Sequence, residues 1–507
     1  MGSMVIIRRK LMDFKEFASF KGSYDIVPIS KEILSDIRTP IQTLKILKKN
    51  SHHVFMLESV EQQQYWGRYT FLGFDPSLEL TCDNSNTLRV KRIIVDDNGE
   101  TKKLEDEIKV NHPGDYIKEI LKNHRSPKLL NLPTFTGGFM GYFSYDYIKY
   151  SEKKLNLDAK DEENFNDVDL MLFDKIIAFD NIKGKIIVIA NARTDADDLQ
   201  MEFDRANSEI DKIIELIEKG EECEDESGRM LGEYRALFSK EEFCDMVIKA
   251  KKYIYEGDIF QVVLSNRLEA EYEGSLLNVY RMLRTINPSP YMFYMGSDDV
   301  EVAGASPETL VKLENKTLHT FPLAGTRPRG KSDEEDLALE KELLADEKEC
   351  AEHNMLVDLG RNDLGKISKF GSVEVEKYMG IERYSHVMHI GSTVVGEIRD
   401  DKSALDAVDA VLPAGTLSGA PKHRAMEIIN ELENNKRGIY GGAIGYIDFT
   451  GNLDTCIAIR LVWKKNNKIF VRSGAGIVAD SVPETEYTEC INKAKAVISA
   501  VEKGGEI

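Results

Sequence analysis

The sequence predicts an α+β fold built of mixed, largely antiparallel sheets. Three observations predict it. Short β-branched and aromatic runs crowd the first half of the chain. Long amphipathic segments recur near 241–258, 334–359 and 484–501. Strands and helices do not alternate strictly, as a doubly wound parallel sheet would require. At 507 residues the chain is long enough for about three ordinary domains or two large ones.

HVFMLES (53–59), RYTFLGF (68–74) and SLELTC (77–82) read as short strands separated by turn residues. LMLFDKIIAFDNIKGKIIVIANA (170–192) reads as a hairpin turning at Asn181 to Gly184. From Asp195 to Lys219 the apolar spacing (Phe203, Ile210, Ile213, Ile214, Ile217) shifts toward 3.6, which predicts a helix. GEECEDESG (220–228) is acidic and poor in apolar residues, so it reads as a surface connector. The expected organisation is a strand-rich amino-terminal domain over 1–219, a connector over 220–235 and a catalytic domain over 236–507. Past the connector, Phe243, Met246, Val247, Ala250 and Ile254 share one helix face. Strand pairs follow, among them the Gly-rich GGAIGYIDF (441–449) with CIAIRLVW (456–463). GGAIGY (441–446) echoes GGFMGY (137–142), as two related sheets would.

Hydrophobic residues make up 42% and charged residues 30%, enough apolar content for a real core. Lys+Arg total 67 against 87 Asp+Glu, a net charge of −20. No basic surplus exists to neutralise a phosphate backbone, which argues against a nucleic-acid partner. No apolar run reaches the ~18 residues of a membrane span, so no membrane partner is expected. The 6 cysteines are scattered and form no C-x-x-C pair, which suits a reducing, cytoplasmic setting. P-loop, dinucleotide, zinc-protease and serine-hydrolase fingerprints are absent.

The remaining polar signals lie in the last 270 positions. In CIAIRLVW, strand alternation sets Arg460 among Cys456, Ala458 and Val462, leaving room for a carboxylate above its guanidinium. The same arginine also reads as a structural ion-pair partner. Glu349 and Glu352 stand i,i+3 on one helix, and Glu486, Glu489 and Lys493 stand i, i+3, i+7 on another. Carboxylates converging from two helices would suit Mg²⁺, although such spacing is common on solvated faces. GASPET (304–309), LAGTRPRG (323–330), PAGTLSGAPK (413–422) and RSGAGIVADS (472–481) read as Gly-rich turns able to aim N–H groups at an anion, or as ordinary tight turns. His389 lies in an apolar strand, as a core histidine or a catalytic one.

Taken in order, AEHNMLVDLGRNDLG, RYSHVMHIGSTVVGE, PAGTLSGAPK, YGGAIGY and RSGAGIVADS resemble the chorismate-utilising enzymes, and within them the subunits that form anthranilate. The resemblance covers nearly the whole chain. It implies an α/β/α sandwich with the site in a cleft between sheet and helices. It implies Mg²⁺ held by Glu352 and Glu489, with Glu349 and Glu486 beside them. Arg460 and Tyr440 would grip the enolpyruvyl carboxylate of chorismate with Gly474, Ala475 and Gly476, and Gly325, Thr326 and Thr416 would line the cleft. Glu308 matches the general acid, His389 the histidine tied to pyruvate elimination, and Lys493 joins them as a catalytic group.

Water-adding relatives carry a lysine where this chain has Gln261, and most aminodeoxychorismate synthases carry one where it has Ala324. Ammonia is therefore the expected nucleophile, delivered by a separate glutaminase subunit. Glu58, Ser59, Pro290, Tyr291 and Met292 match the family's tryptophan-feedback pocket. The competing readings are a synthase that stops at 2-amino-2-deoxyisochorismate, and a catalytically silent tryptophan-sensing subunit.

Overall fold

The computed structural model describes residues 12–59, 67–95, 101–224, 227–384 and 387–506. Among these, the strands form two large sheets, of thirteen and twelve strands, with helices packed on them in an α+β fold. Each sheet has a joint where the two halves of the chain meet. In the first, Val54–Glu58 pairs antiparallel with Tyr291–Gly296. In the second, Gly138–Phe143 pairs antiparallel with Ala443–Asp448.

Reading outward from the first joint, one side runs Val54–Glu58, Tyr69–Phe74, Lys175–Asp180, Lys185–Arg193, Ile26–Leu34. The other runs Tyr291–Gly296, Glu301–Ser306, Leu461–Lys465, Lys468–Ile477, Gln261–Glu273, the same connectivity repeated. The second joint repeats in the same way. A long helix follows each late strand: Leu199–Lys219 in one half and Pro483–Gly504 in the other. The molecule is thus an internal pseudo-twofold repeat.

The echoed Gly motifs lie at the axis. They are neighbouring strands of one sheet rather than marks of two related sheets, and Gly141 stands opposite Gly445. A Cβ on either would lie 2.0 Å from a neighbouring carbonyl, that of Asp169 or of Asp454, so no side chain fits at the joint.

Phe55, Phe71, Phe139, Leu172, Ile447 and Trp463 belong to the largest core, which joins the two sheets. A second core lies under the outer helices, where the expected stripe Ile210, Ile213, Ile214 and Ile217 is buried. Helix Lys240–Glu256 buries Phe243, Met246, Val247 and Ala250 as its pattern predicts.

Four expectations change. The segment 170–192 is not one hairpin: Val168–Phe173 belongs to the second sheet, and the chain crosses at Asp174 before the hairpin of Lys175–Asp180 and Lys185–Arg193. The helix expected over 334–359 is two helices, Asp333–Ala345 and Glu347–Gly365, broken at Asp346. Asp346 is extended (ψ 103) and its carboxylate accepts the N–H groups of Lys348 and Glu349, restarting the helix. CIAIRLVW is not one strand: Leu453–Ile457 lies in the second sheet and Leu461–Lys465 in the first. Within 220–235, Arg229–Met230 pairs onto Gln261–Glu273, and Arg235 begins a second short strand there, because this sheet edge offers unpaired backbone groups.

Candidate active site

Arg460 occupies the corner where the chain passes between sheets, with φ 53°. It is therefore not in mid-strand, and alternation does not set its direction. Its carbonyl accepts the Ala305 N–H at 3.0 Å, and its guanidinium donates to the Lys493 carbonyl. Burial lowers its pKa, opposed by Tyr440, Glu308 and Glu489. A cavity of about 570 Å³ lies beside it, lined by Glu484, Thr488, Glu489, Asn492 and Lys493. Lys493 Nζ bonds Glu489 at 2.6 Å and donates to the Gly474 carbonyl at 3.1 Å.

Gly474, Ala475 and Gly476 do not form a turn. They lie on Lys468–Ile477, in register with Ser265, Leu264 and Val263. The run of small residues keeps the sheet open where Tyr440 arrives: a Cβ on Gly474 would lie 3.0 Å from the Tyr440 hydroxyl. Beneath them lies a buried cluster. Glu433 accepts Arg437 Nε at 3.0 Å and Arg472 Nη2 at 2.7 Å, and Arg437 donates to the Leu417 carbonyl. Arg437 also lies over the Tyr440 ring, at 5.8 Å. Sequence reading missed this cluster, because a Glu–Arg i,i+4 pair usually marks a solvated helix face. Here the helix ends at Glu433, with Asn434 at φ 40°, and Arg437 turns inward.

Glu308 follows Glu301–Ser306 at the break before Thr309–Glu314. Its Oε2 accepts the Thr416 hydroxyl at 3.0 Å. Burial raises its pKa, opposed by Thr416, Lys493 and Arg460. Thr416 sits on the one-turn helix Gly415–Leu417, so PAGTLSGAPK is partly helical.

On the opposite wall, LAGTRPRG is the strand Leu323–Pro328, bulged where Gly325 takes φ 65°. It pairs with Val387–Glu397, which carries His389. His389 Nδ1 lies 2.7 Å from the Gly325 carbonyl and 3.1 Å from Thr326 Oγ1. A carbonyl only accepts, so Nδ1 carries the proton and Nε2 keeps a lone pair. Burial, then the Arg460 charge, lowers the histidine's pKa and favours that neutral form.

A Cβ on Gly325 would lie 3.2 Å from Glu349 Oε2, which places the first glutamate helix against this strand. Burial and then Glu352 raise the pKa of Glu349; burial, and then Glu489 among the raising groups, raise that of Glu486. Gln261 Nε2 donates to Glu352 Oε1 at 3.4 Å. Lys348 lies near enough to favour the charged form of Glu486, so the two glutamate helices face each other. Among the described residues, no three of the four carboxylates converge within 4.8 Å. Three half-buried glutamates, Glu349, Glu352 and Glu486, with the exposed Glu489 beside them are nevertheless a hard-oxygen donor set of the kind a divalent cation takes.

At the other end of the first joint, Ser59 Oγ is buried with no hydrogen-bond partner among the described residues. Glu58 accepts the Tyr280 hydroxyl at 2.7 Å and Arg284 Nη2 at 3.1 Å. Tyr291 donates to Asp454 at 2.8 Å, Met292 is buried opposite Glu58, and Pro290 is half-buried. Residues 60–66, which follow Ser59, lie outside the described residues.

Two stacked sheets with an acid, an arginine and two acidic helices around one cleft define a class of enzyme acting on a small carboxylated substrate. The family described as chorismate binding enzyme matches residues 52–499, and the chain belongs to it. It is 47% identical over 495 residues to anthranilate synthase component 1 of Acetivibrio thermocellus, covering 96% of this chain and 97% of that protein. Its fold matches the crystal structure of anthranilate synthase component I from Streptococcus pneumoniae (TM-score 0.72, 36% identity, 92% of this chain and 98% of that one). The fold is also that of the menaquinone-specific isochorismate synthase from Escherichia coli (TM-score 0.69, 19% identity, 94% and 95% covered). No described helix is long and apolar enough to cross a membrane.

Proposed function

We propose that this chain is the chorismate-aminating component of a cytoplasmic anthranilate synthase in tryptophan biosynthesis, a lyase that turns chorismate and ammonia into anthranilate and pyruvate. The observation that carries this reading is the placement of a half-buried acid, Glu308, with Arg460 and Lys493 acting on its charge and Thr416 bonded to it. Such an acid holds a proton at higher pH than an exposed glutamate and can give it to a poor leaving group.

Arg460 and Tyr440 orient the enolpyruvyl carboxylate, with the Gly474–Gly476 strand flanking it. Gly325, Thr326 and Thr416 line the cleft. Glu352 and Glu489 would hold Mg²⁺, with Glu349 and Glu486 beside them; when bound, the ion would supply positive charge for the ring carboxylate. Glu308 protonates the 4-hydroxyl, which leaves as water while ammonia adds at C2. Pyruvate and a ring proton then depart. His389 Nε2, holding a lone pair, is placed to serve that elimination, and Lys493 keeps Glu489 and the Gly474 carbonyl in position.

Gln261 and Ala324 offer no amine to activate water or to attack the ring. Burial pushes the Cys82 thiol up to about 11 and raises those of Cys456 and Cys490, so these are poor nucleophiles for glutamine. A separate glutaminase subunit supplies the ammonia. Tryptophan inhibits through Glu58, Ser59, Pro290, Tyr291 and Met292.

The test is an assay of the purified chain with chorismate and Mg²⁺. Ammonium is expected to give anthranilate fluorescence and stoichiometric pyruvate, and glutamine alone to give neither. A non-fluorescent amino product, or glutamine-dependent turnover by this chain alone, overturns the reading.

A further inference from the structure

Three charged side chains lie inside the protein behind the cleft: Glu433, Arg437 and Arg472 are each 2% exposed. One carboxylate there serves two guanidiniums. Glu433 Oε1 accepts the Ser265 N–H at 2.7 Å, the Ser265 hydroxyl at 2.9 Å and Arg437 Nη2 at 2.6 Å. Its Oε2 accepts Arg437 Nε at 3.0 Å and Arg472 Nη2 at 2.7 Å. Arg472 directs its other donors to the Ser265 hydroxyl and to Asn435 Oδ1. Buried ion pairs add little net stability, and apolar residues of the same volume often do as well. A guanidinium fork does fix geometry, because it aims several donors at once in one plane.

Arg437 carries that geometry to the site. Its Nη1 donates to the Leu417 carbonyl at 2.6 Å and its Nη2 to the Val263 carbonyl at 2.7 Å. The Tyr145 and Tyr440 rings, centred 4.6 Å and 5.8 Å from the guanidinium carbon, hold the fork in place. Leu417 ends the one-turn helix Gly415–Leu417. The residue before it, Thr416, donates its hydroxyl to Glu308 Oε2 at 3.0 Å. A single turn does not hold its shape alone, and the Arg437 bond to its last carbonyl anchors it.

We infer that Arg437, fixed by Glu433, is a positioning residue that anchors the Gly415–Leu417 turn and so keeps the Thr416 hydroxyl on the Glu308 carboxylate. Arg437 has this role only if Glu308 is the acid of the reaction proposed above. The Thr416 bond favours the charged form of Glu308 and opposes burial, together with the charges of Lys493 and Arg460. When the turn drifts, that opposition weakens and Glu308 keeps its proton to higher pH.

The test is kcat of the full-length chain across pH, at saturating chorismate, Mg²⁺ and ammonia. Arg437→Lys keeps the charge, but one ammonium cannot reach both carbonyls and both Glu433 oxygens together. Thr416→Val is expected to move the limb that falls with rising pH to higher pH. Arg437→Lys should move it the same way, and the double variant should stand where Thr416→Val alone stands. If Arg437→Lys fails to fold, Arg437→Met serves, because it leaves Glu433 paired with Arg472. A through-space effect of the lost charge would add to the Thr416→Val shift, whereas loss of the anchor would not. A limb that the Arg437 variant leaves in place while Tm falls shows a purely structural cluster and overturns the inference. Shifts that sum in the double variant overturn it too, as does a limb that Thr416→Val leaves in place although Glu308→Gln abolishes it. A limb that survives Glu308→Gln overturns the acid assignment itself, and the role of Arg437 with it.

Discussion

Arg460 was legible in the sequence as a residue and illegible as a position. An arginine between apolar residues stands out in CIAIRLVW, but the run looks like one alternating strand because both strands it spans are buried. Only the passage between sheets, with φ 53° at Arg460, aims the guanidinium at the Glu489–Lys493 helix. Glu308 shows the reverse. Its neighbours Pro307 and Thr309 carry no charge, so its raised pKa comes from burial, which no local pattern reports. Turnover should therefore fall as pH rises through a pKa above the ordinary glutamate value, because the acid is active only while protonated. Glu308→Gln should remove that limb and lower kcat by about 10²–10⁴-fold, the usual share of a general acid, with little change in the KM for chorismate. Steady-state rates across pH check both. An unchanged profile in the variant would remove Glu308 from the role.

The glutamate helices were legible as elements, with one end misplaced. The apolar periodicity of 334–359 carries across Asp346 without a proline or glycine to mark a stop. The break comes from an aspartate acting as cap for a second helix, while Arg327 holds its carboxylate at 2.9 Å. That cap sets the rotational phase of Glu349 and Glu352. Asp346→Ala should lower Tm and raise the Mg²⁺ concentration needed for half-maximal turnover. Asp346→Asn, which still caps, should restore most of the Tm. Differential scanning calorimetry with a Mg²⁺ titration separates the two; an alanine variant with unaltered Mg²⁺ dependence would show that the cap does not position the glutamates. RSGAGI misled for a related reason: glycines read as a turn, whereas here they thin a strand so that Tyr440 can approach it.

At the scale of the molecule, the repeated GGxxGY was the one trace of the pseudo-twofold, and six residues could not show that the echoed strands are neighbours. The strand order depends on pairings between residues more than 200 positions apart, which local patterning does not encode. Those pairings also carry the proposed feedback. Glu58, next to Ser59, lies opposite Met292; Met292 lies opposite Ala305 and Tyr291 opposite Ser306, two residues before Glu308. The Tyr291 hydroxyl shares a hydrogen bond with Thr309 Oγ1 at 3.0 Å, directly beside Glu308. A ligand that shifts this strand pair would therefore displace Glu308, the proposed acid, through a single intervening strand. Tryptophan binding should raise the chorismate KM about 5- to 150-fold, a coupling of about 1–3 kcal/mol. Ser59 is the residue to change, because its buried hydroxyl has no described partner and would find one in the inhibitor. Removing one such hydrogen bond costs about 1.4 kcal/mol, so Ser59→Ala should need about tenfold more tryptophan for half-inhibition. Turnover without tryptophan should stay near the wild-type rate, since Ser59 does not reach the cleft. Initial rates at several tryptophan and chorismate concentrations decide it: equal sensitivity in variant and wild type would place the inhibitor elsewhere and sever this strand route to Glu308.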